Sequence, residues 1–317
     1  MNATGVPLYV GLRRSWQLAF TAVVAAAAVW VLAAHRHAVD ASADRLAVAD
    51  RAWLLAAGAA ALGTWVCAAV AQQGAVAERL PAGQLVAAQF AACAANHLLP
   101  AGVGASAVNL RFLTRCGLST ARSATALAVK AAVGALVRFA LAVVLLLASP
   151  RIPRLSPGLP RACVMFSVAG CVAVAATAVA LSRPARRGVG RAAGQVLADV
   201  RAVHGQRARA CALWGGSLGF ALLHAGVLIA MVRALDVPVP PGHVLLAYLL
   251  ASGAAVLLPT PGGLGSLDAA LVLTLTAAGT PADAALSAVF GYRMLTAWLP
   301  LIPGLLVLAV LARRSLL

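Results

Sequence analysis

Leu98-Leu99-Pro100-Ala101-Gly102-Val103-Gly104-Ala105-Ser106 and Leu257-Leu258-Pro259-Thr260-Pro261-Gly262-Gly263-Leu264-Gly265-Ser266 are the two stretches on which the fold turns, their first prolines 159 residues apart. Each interrupts an apolar segment, dividing it into 84–99 and 104–116 in the first case and 243–258 and 262–279 in the second. Pro100, Pro259 and Pro261 cannot continue a helical hydrogen-bond ladder. Gly102, Gly104, Gly262, Gly263 and Gly265 permit the tight turn that starts a new helix. The resulting pieces are short for a hydrocarbon core of about 30 Å. They predict re-entrant helical hairpins, 84–116 and 243–279, with their tips near mid-membrane. Two complete spans per stretch is the alternative, but 104–116 carries Arg111 and Arg115 and is too short and too charged for that.

Around these hairpins lie apolar runs long enough to cross a bilayer, at 17–34, 52–71, 119–148, 161–181, 211–235 and 283–312. Arginines orient them. Arg13 and Arg14 precede the first span, seven arginines from Arg183 to Arg209 crowd the connection 182–210, and Arg313 and Arg314 follow the last span. By the positive-inside rule all three places are cytoplasmic. Six crossings with both termini and the basic connection inside require each hairpin to return to the face it came from. The first then enters from the cytoplasm and the second from outside. Each hairpin follows a full span and is followed, after Gly117 or Gly279, by a helix of about thirty residues. The chain thus reads as a single all-α polytopic membrane domain, 1–317, with repeat one at 52–148, a linking span at 161–181 and repeat two at 211–312. The two repeats run in opposite directions, as an inverted-topology repeat. Chance recurrence of Leu-Leu-Pro in an Ala/Leu/Gly-rich chain is the plainer alternative.

Composition agrees. Of 317 residues 62% are hydrophobic and 10% charged, with a mean hydropathy of +0.93, where a soluble domain is about a quarter charged. Disordered chains lack such apolar content. The net charge of +17 is explained by topology, so no nucleic-acid partner is expected. Six scattered cysteines without a CxxC pair read as small buried hydrophobes, supporting neither a disulfide framework nor a zinc site. The run 17–34 is long for a signal-peptide core and lacks a cleavage site. No G-x-S-x-G, H-E-x-x-H or Walker-type motif occurs, so an enzyme is not expected, nor any cofactor or metal.

The candidate functional residues are those that an apolar helix carries at a penalty. Lys130, Arg138 and Arg293 fall inside long apolar runs, where each charge costs about 2.5–3.5 kcal/mol on insertion scales. At 1.5 Å per residue, Lys130 and Arg293 count to about mid-membrane, and Arg138 lies two turns further on, within snorkelling reach of the outer interface. Backbone N–H groups near Ser106 and Ser266, at the starts of the second half-helices, suit an anionic group. Asp268 stands in the first turn after Gly265, favoured by the helix dipole and able to pair with Arg293. Its role is either to fix the hairpin or to take part in proton coupling or headgroup contact. His97, His224 and Asn96 read more simply as hydrogen-bonded core residues.

The run Leu258-Pro259-Thr260-Pro261-Gly262-Gly263-Leu264-Gly265-Ser266-Leu267-Asp268, with Gly279, Ala284, Ala285, Arg293 and Trp298, resembles the C-terminal signature of the lysylphosphatidylglycerol synthase transmembrane-region family. Leu99-Pro100-Ala101-Gly102-Val103-Gly104, with Arg111, Leu113, Arg115 and Gly117, resembles the earlier motif of that family. Asp268 stands where the family often has Glu, and Lys130 near a common arginine. The resemblance implies a flippase-like protein of the bacterial cytoplasmic membrane that binds and translocates an anionic or aminoacylated phospholipid or another lipid-linked headgroup. Lysyl-lipid synthesis is not expected of this stretch. Membrane phospholipid is the expected partner. Two alternatives stand beside this reading. One is a lipid-holding protein that serves a glycosyl- or aminoacyl-transferase docked on the basic connection. The other is an ion or small-solute transporter.

Overall fold

The computed structural model describes residues 44–98, 103–148, 204–255 and 265–313, together with positions 42, 198 and 200–202. Within them the chain is all-helical, and four helices are long and apolar enough to cross a membrane. The spans expected at 17–34 and 161–181, most of the basic connection, and the tip residues Pro100, Gly102, Pro259, Pro261, Gly262 and Gly263 lie outside the described residues.

In chain order the elements are α1 (Arg51–Gly74), α2 (Ala82–Leu98), α3 (Val103–Arg115), α4 (Thr120–Ala148), α5 (Arg207–Ala234), α6 (Pro241–Ala254), α7 (Ser266–Ala277), α8 (Ala282–Arg293) and α9 (Leu299–Arg313). A π-helical turn, Met294–Trp298, joins α8 to α9. The described part therefore repeats one pattern, a long helix, two short ones and another long stretch. The short helices have 17, 13, 14 and 12 residues, or about 18–26 Å at 1.5 Å per residue.

Local chemistry explains the boundaries. Asp50 caps α1 by accepting from the Ala52 and Trp53 N–H groups at 2.7 and 3.4 Å. Pro241 opens α6, where its missing N–H has no helical partner to lose. Helices α3 and α7 end on the same device. Gly117 and Gly279 have φ of +94° and +96°. The Leu118 N–H bonds back to Leu113 O and the Thr280 N–H to Leu275 O, at 3.3 and 3.0 Å, closing a Schellman turn in both hairpins.

Helices α1 and α5 run antiparallel along their whole lengths. The Asp50 N–H meets Ala234 O at 3.0 Å at one end, and Gly74 lies against the Leu213 backbone at the other. Between them Gly63 faces Leu223, Gly219 faces Cys67 and Gly216 faces Ala71. Small residues let the backbones close together where lipid tails supply no hydrophobic drive between helices. The first arm of each hairpin then crosses to the other half: α2 packs on α9, and α6 packs on α4. Apolar side chains fill both seams, notably Leu228, Val244, Leu271 and Leu275 in one half and Leu85, Leu113 and Val133 in the other. Large apolar side chains also cover the outer faces, Leu55 being 76% and Leu147 79% exposed, as a bilayer-facing surface would be.

The two ends of the bundle carry the paired surface charges. At one end Arg45 pairs with Asp283. At the other Arg122 meets Glu78 at 2.8 Å, and Arg209 donates to the carbonyls of Gln73 and Ala77 at 3.2 and 2.9 Å. That second contact places a guanidinium on the negative end of α1.

Candidate functional site

The polar side chains of the interior gather along one face of α2. Gln89, Cys93 and His97 are spaced by four residues and therefore share that face. At its lower level sits Lys130, brought in by α4. Its ammonium donates to Gln72 Oε1 of α1 at 2.9 Å and to Gln89 Oε1 at 3.4 Å. Gln89 Nε2 donates to Asn109 Oδ1 of α3 at 3.1 Å, and Asn109 Nδ2 donates to Ala105 O at 2.9 Å. The amide orientations are set from both ends, since an ammonium only donates and a backbone carbonyl only accepts. Four helices thus meet in one directed chain of hydrogen bonds, which also clasps the two arms of the first hairpin.

The charge balance of this cluster is unusual. Gln72, Gln89 and Asn109 are buried, and Lys130 is half-buried. The partners of the ammonium are neutral amides, and no carboxylate pairs with it among the described residues. A cation held this way keeps its charge uncompensated. Gln72 Nε2, on the amide that touches the ammonium, is buried without a hydrogen-bond partner. An unmet donor of this kind costs about 1–3 kcal/mol. Gln72 lies in the last turn of α1, so Lys130 sits nearer the Gly74 end of the bundle than a residue count along α4 indicates. The first turns of α4 project beyond the end of α1, which accounts for the difference.

Two turns along the same face of α2 is the second charged cluster. Asp268, in the first turn of α7, pairs with Arg293 at the end of α8 and accepts from the Gly265 N–H at 3.0 Å. Gly265 has φ of +85°, a conformation that suits glycine, directly before Ser266, the first residue of α7. Arg293 is 7% exposed. His97 and Cys93 lie within electrostatic reach of Arg293. His97 Nδ1 is held by Cys93 O at 2.8 Å, while His97 Nε2 and Asn96 Oδ1 are buried without partners. The C-terminal end of α2 thus lies in the electrostatic neighbourhood of this pair, and the π-helical turn begins immediately after Arg293. Such turns recur at functional sites.

Arg138 takes the inward one of the two positions that the sequence left open to it, and Gly104 serves a purpose different from the one expected. Arg138 does not extend to the outer interface. It turns inward against Tyr248 of α6 and toward His224, beside a buried aromatic group in which His224 Nδ1 meets Tyr292 Oη at 2.9 Å. Gly104 is required by close approach and not by a turn, because a Cβ there would lie 2.0 Å from Ala95 O. Ser106 lies exposed in the first turn of α3, one residue beyond the Ala105 carbonyl that ends the Lys130 network. The neutral members Gln72, Gln89 and Asn109 were not singled out in the sequence. Their signal was an amide side chain within or at the edge of an apolar stretch.

A family model described as the lysylphosphatidylglycerol synthase TM region matches residues 17–304. No curated protein matches the chain.

Proposed function

The chain belongs to the lysylphosphatidylglycerol synthase transmembrane-region family, a multi-pass membrane protein by its apolar helices, and on that premise we propose that it is a lipid flippase without bond-making chemistry of its own. In this reading an anionic or aminoacylated phospholipid, or another lipid-linked headgroup, crosses the bacterial cytoplasmic membrane along the polar face of α2 while its acyl tails stay in the bilayer. The observation that carries it is that face itself, running from the uncompensated ammonium of Lys130 to the Asp268–Arg293 pair.

The re-entrant, inverted architecture is part of the proposal. Arms of about 18–26 Å fall short of a core of about 30 Å, and α1 and α5, the leading helices of the two halves, point in opposite directions. The reciprocal packing of α2 on α9 and α6 on α4 gives the halves a shared seam about which one rocks against the other. The end carrying Arg209 and Arg122 is cytoplasmic by the positive-inside rule, which puts both termini inside.

The test is translocation. Purified protein in liposomes containing a fluorescent phosphatidylglycerol is expected to carry label from the inner to the outer leaflet, where dithionite bleaches it, faster than protein-free liposomes do. Lys130→Gln is expected to slow this at least tenfold. A parent protein no faster than protein-free liposomes overturns the proposal, and a stable copurifying transferase in that case favours a lipid-holding partner.

A further inference from the structure

His97 ends the polar face of α2 with one ring nitrogen fixed and the other open. Its Nδ1 lies 2.8 Å from Cys93 O, and a carbonyl oxygen only accepts, so Nδ1 carries a proton. In the neutral ring Nε2 then presents a lone pair, and it is buried without a partner. Asn96 Oδ1, on the preceding residue, is a second buried acceptor with nothing to accept from. Imidazole is the side chain whose ordinary charge change falls between about pH 5 and 8, so the ligand that suits an open Nε2 is a proton.

The surroundings can hold the resulting charge. Asp268 and Arg293 act on the ring electrostatically from α7 and α8. Arg293 Nε meets one Asp268 oxygen and the Gly265 N–H meets the other, which leaves each oxygen a second lone pair. Other ionisable groups are few. Cys93 Sγ is 4.0 Å from His97 Nδ1. Helix α9 packs on α2 and has no ionisable residue in 299–312, and neither 99–102 nor the first two turns of α3, 103–110, contain one. On α1, 52–74 contains only Cys67, which faces Gly219 of α5 instead.

We propose that His97 Nε2 is a proton-binding site, and that the proton taken up there couples passage of the headgroup along α2 to the pH difference across the membrane. The coupling rests on the flippase reading above, whereas the site itself does not. In the step, the Nε2 lone pair forms an N–H bond to a proton delivered by water. No bond of the chain breaks, and release reverses the step. The imidazolium is a second cation beside Asp268, so it competes with Arg293 for the carboxylate and repels the guanidinium. Uptake therefore strengthens the link between α2 and α7, across the two hairpins, at the expense of the link between α7 and α8.

Two measurements test the site and the coupling separately. Nitrogen NMR of protein in nanodiscs, with its six histidines labelled with nitrogen-15, reads the tautomer and charge of each ring. The His97 signal is the one lost in both His97→Gln and His97→Asn. It is expected to show a protonated Nδ1 and a bare Nε2 at about pH 8, and to gain imidazolium character as the sample is taken to about pH 5. A ring that stays neutral throughout, or that holds its proton on Nε2 at the alkaline end, overturns the proposal. For the coupling, liposomes with fluorescent phosphatidylglycerol are held at neutral pH outside and made acid or alkaline inside, and dithionite reads the label reaching the outer leaflet. The two interiors are expected to differ at least fivefold in rate for the parent and less than twofold for His97→Gln. Equal rates in the parent, or a difference that survives in the variant, overturn the coupling. A titrating His97 in a protein that moves no lipid under either gradient overturns the flippase reading and leaves the proton site standing.

Discussion

Asp268→Ala is expected to destabilise the protein by about 3–5 kcal/mol, the range for removing one partner from a buried ion pair. Arg293 is 7% exposed, and Asp268 is the carboxylate that faces it from the first turn of α7. The carboxylate also accepts the Gly265 N–H, so its loss releases the start of the second arm and removes a negative charge from a helix N-terminus. The double variant Asp268→Ala/Arg293→Met is expected to recover most of the loss, because it removes the buried charge along with its partner. Chemical unfolding in detergent, followed by circular dichroism, measures both. A single variant as stable as the parent would mean that the pair does not tie α7 to α8.

The second large effect is expected at the α1–α5 seam, where two neighbouring glycines provide an internal comparison. A Cβ at Gly216 would lie 2.6 Å from the Ala71 nitrogen, and one at Gly74 would lie 2.2 Å from the Leu213 nitrogen. Both contacts are with backbone, which does not give way as a flexible side chain does. Gly215 has nothing within 4 Å of the added atom. Gly216→Leu and Gly74→Leu are therefore expected to cost about 3 kcal/mol or more through overpacking, seen as loss of the monodisperse peak in size-exclusion chromatography. Gly215→Leu is expected to elute as the parent does. Identical behaviour of the Gly215 and Gly216 variants would contradict the antiparallel α1–α5 seam, on which the proposed inverted arrangement of the halves depends.

Much of the longitudinal plan was readable in the sequence. The apolar runs 52–71, 119–148 and 211–235 became α1, α4 and α5, and 283–312 became α8, the π-helical turn and α9. The interrupted pieces became α2, α3, α6 and α7 with ends shifted by a few residues. Hydropathy reports where a chain is apolar along its length, and proline and glycine report where it breaks. Neither reports which way a side chain points around its helix. Arg138, which position alone left to line an interior path or to snorkel outward, turns toward the Tyr248 of α6, a partner more than a hundred residues away. The Asp268–Arg293 pair was legible because both residues are charged and lie in neighbouring elements.

The Lys130 network was half legible for the same reason. Formal charge drew attention to the lysine, but its partners Gln72, Gln89 and Asn109 are neutral and come from three other helices. Gly216 and Gly74 gave no signal of their own in a chain with 28 glycines. Their meaning comes from the facing backbone, which only the packing of α1 on α5 supplies. The alignment of Gln89, Cys93 and His97 follows from helical spacing once 82–98 is known to be continuous helix, and it was available to anyone counting fours along that segment.

The central claim is that the two hairpins stop partway and bring their tips together. Val103, the first residue of α3, and Ala269, one turn into α7, flank those tips and are both exposed. Replacing the native cysteines, placing single cysteines at these two positions and attaching spin labels in nanodiscs allows their separation to be measured by pulsed electron resonance. A distance below about 20 Å is the predicted result; tips at opposite faces of the membrane would instead be separated by at least the core thickness of about 30 Å, and that value would contradict the account.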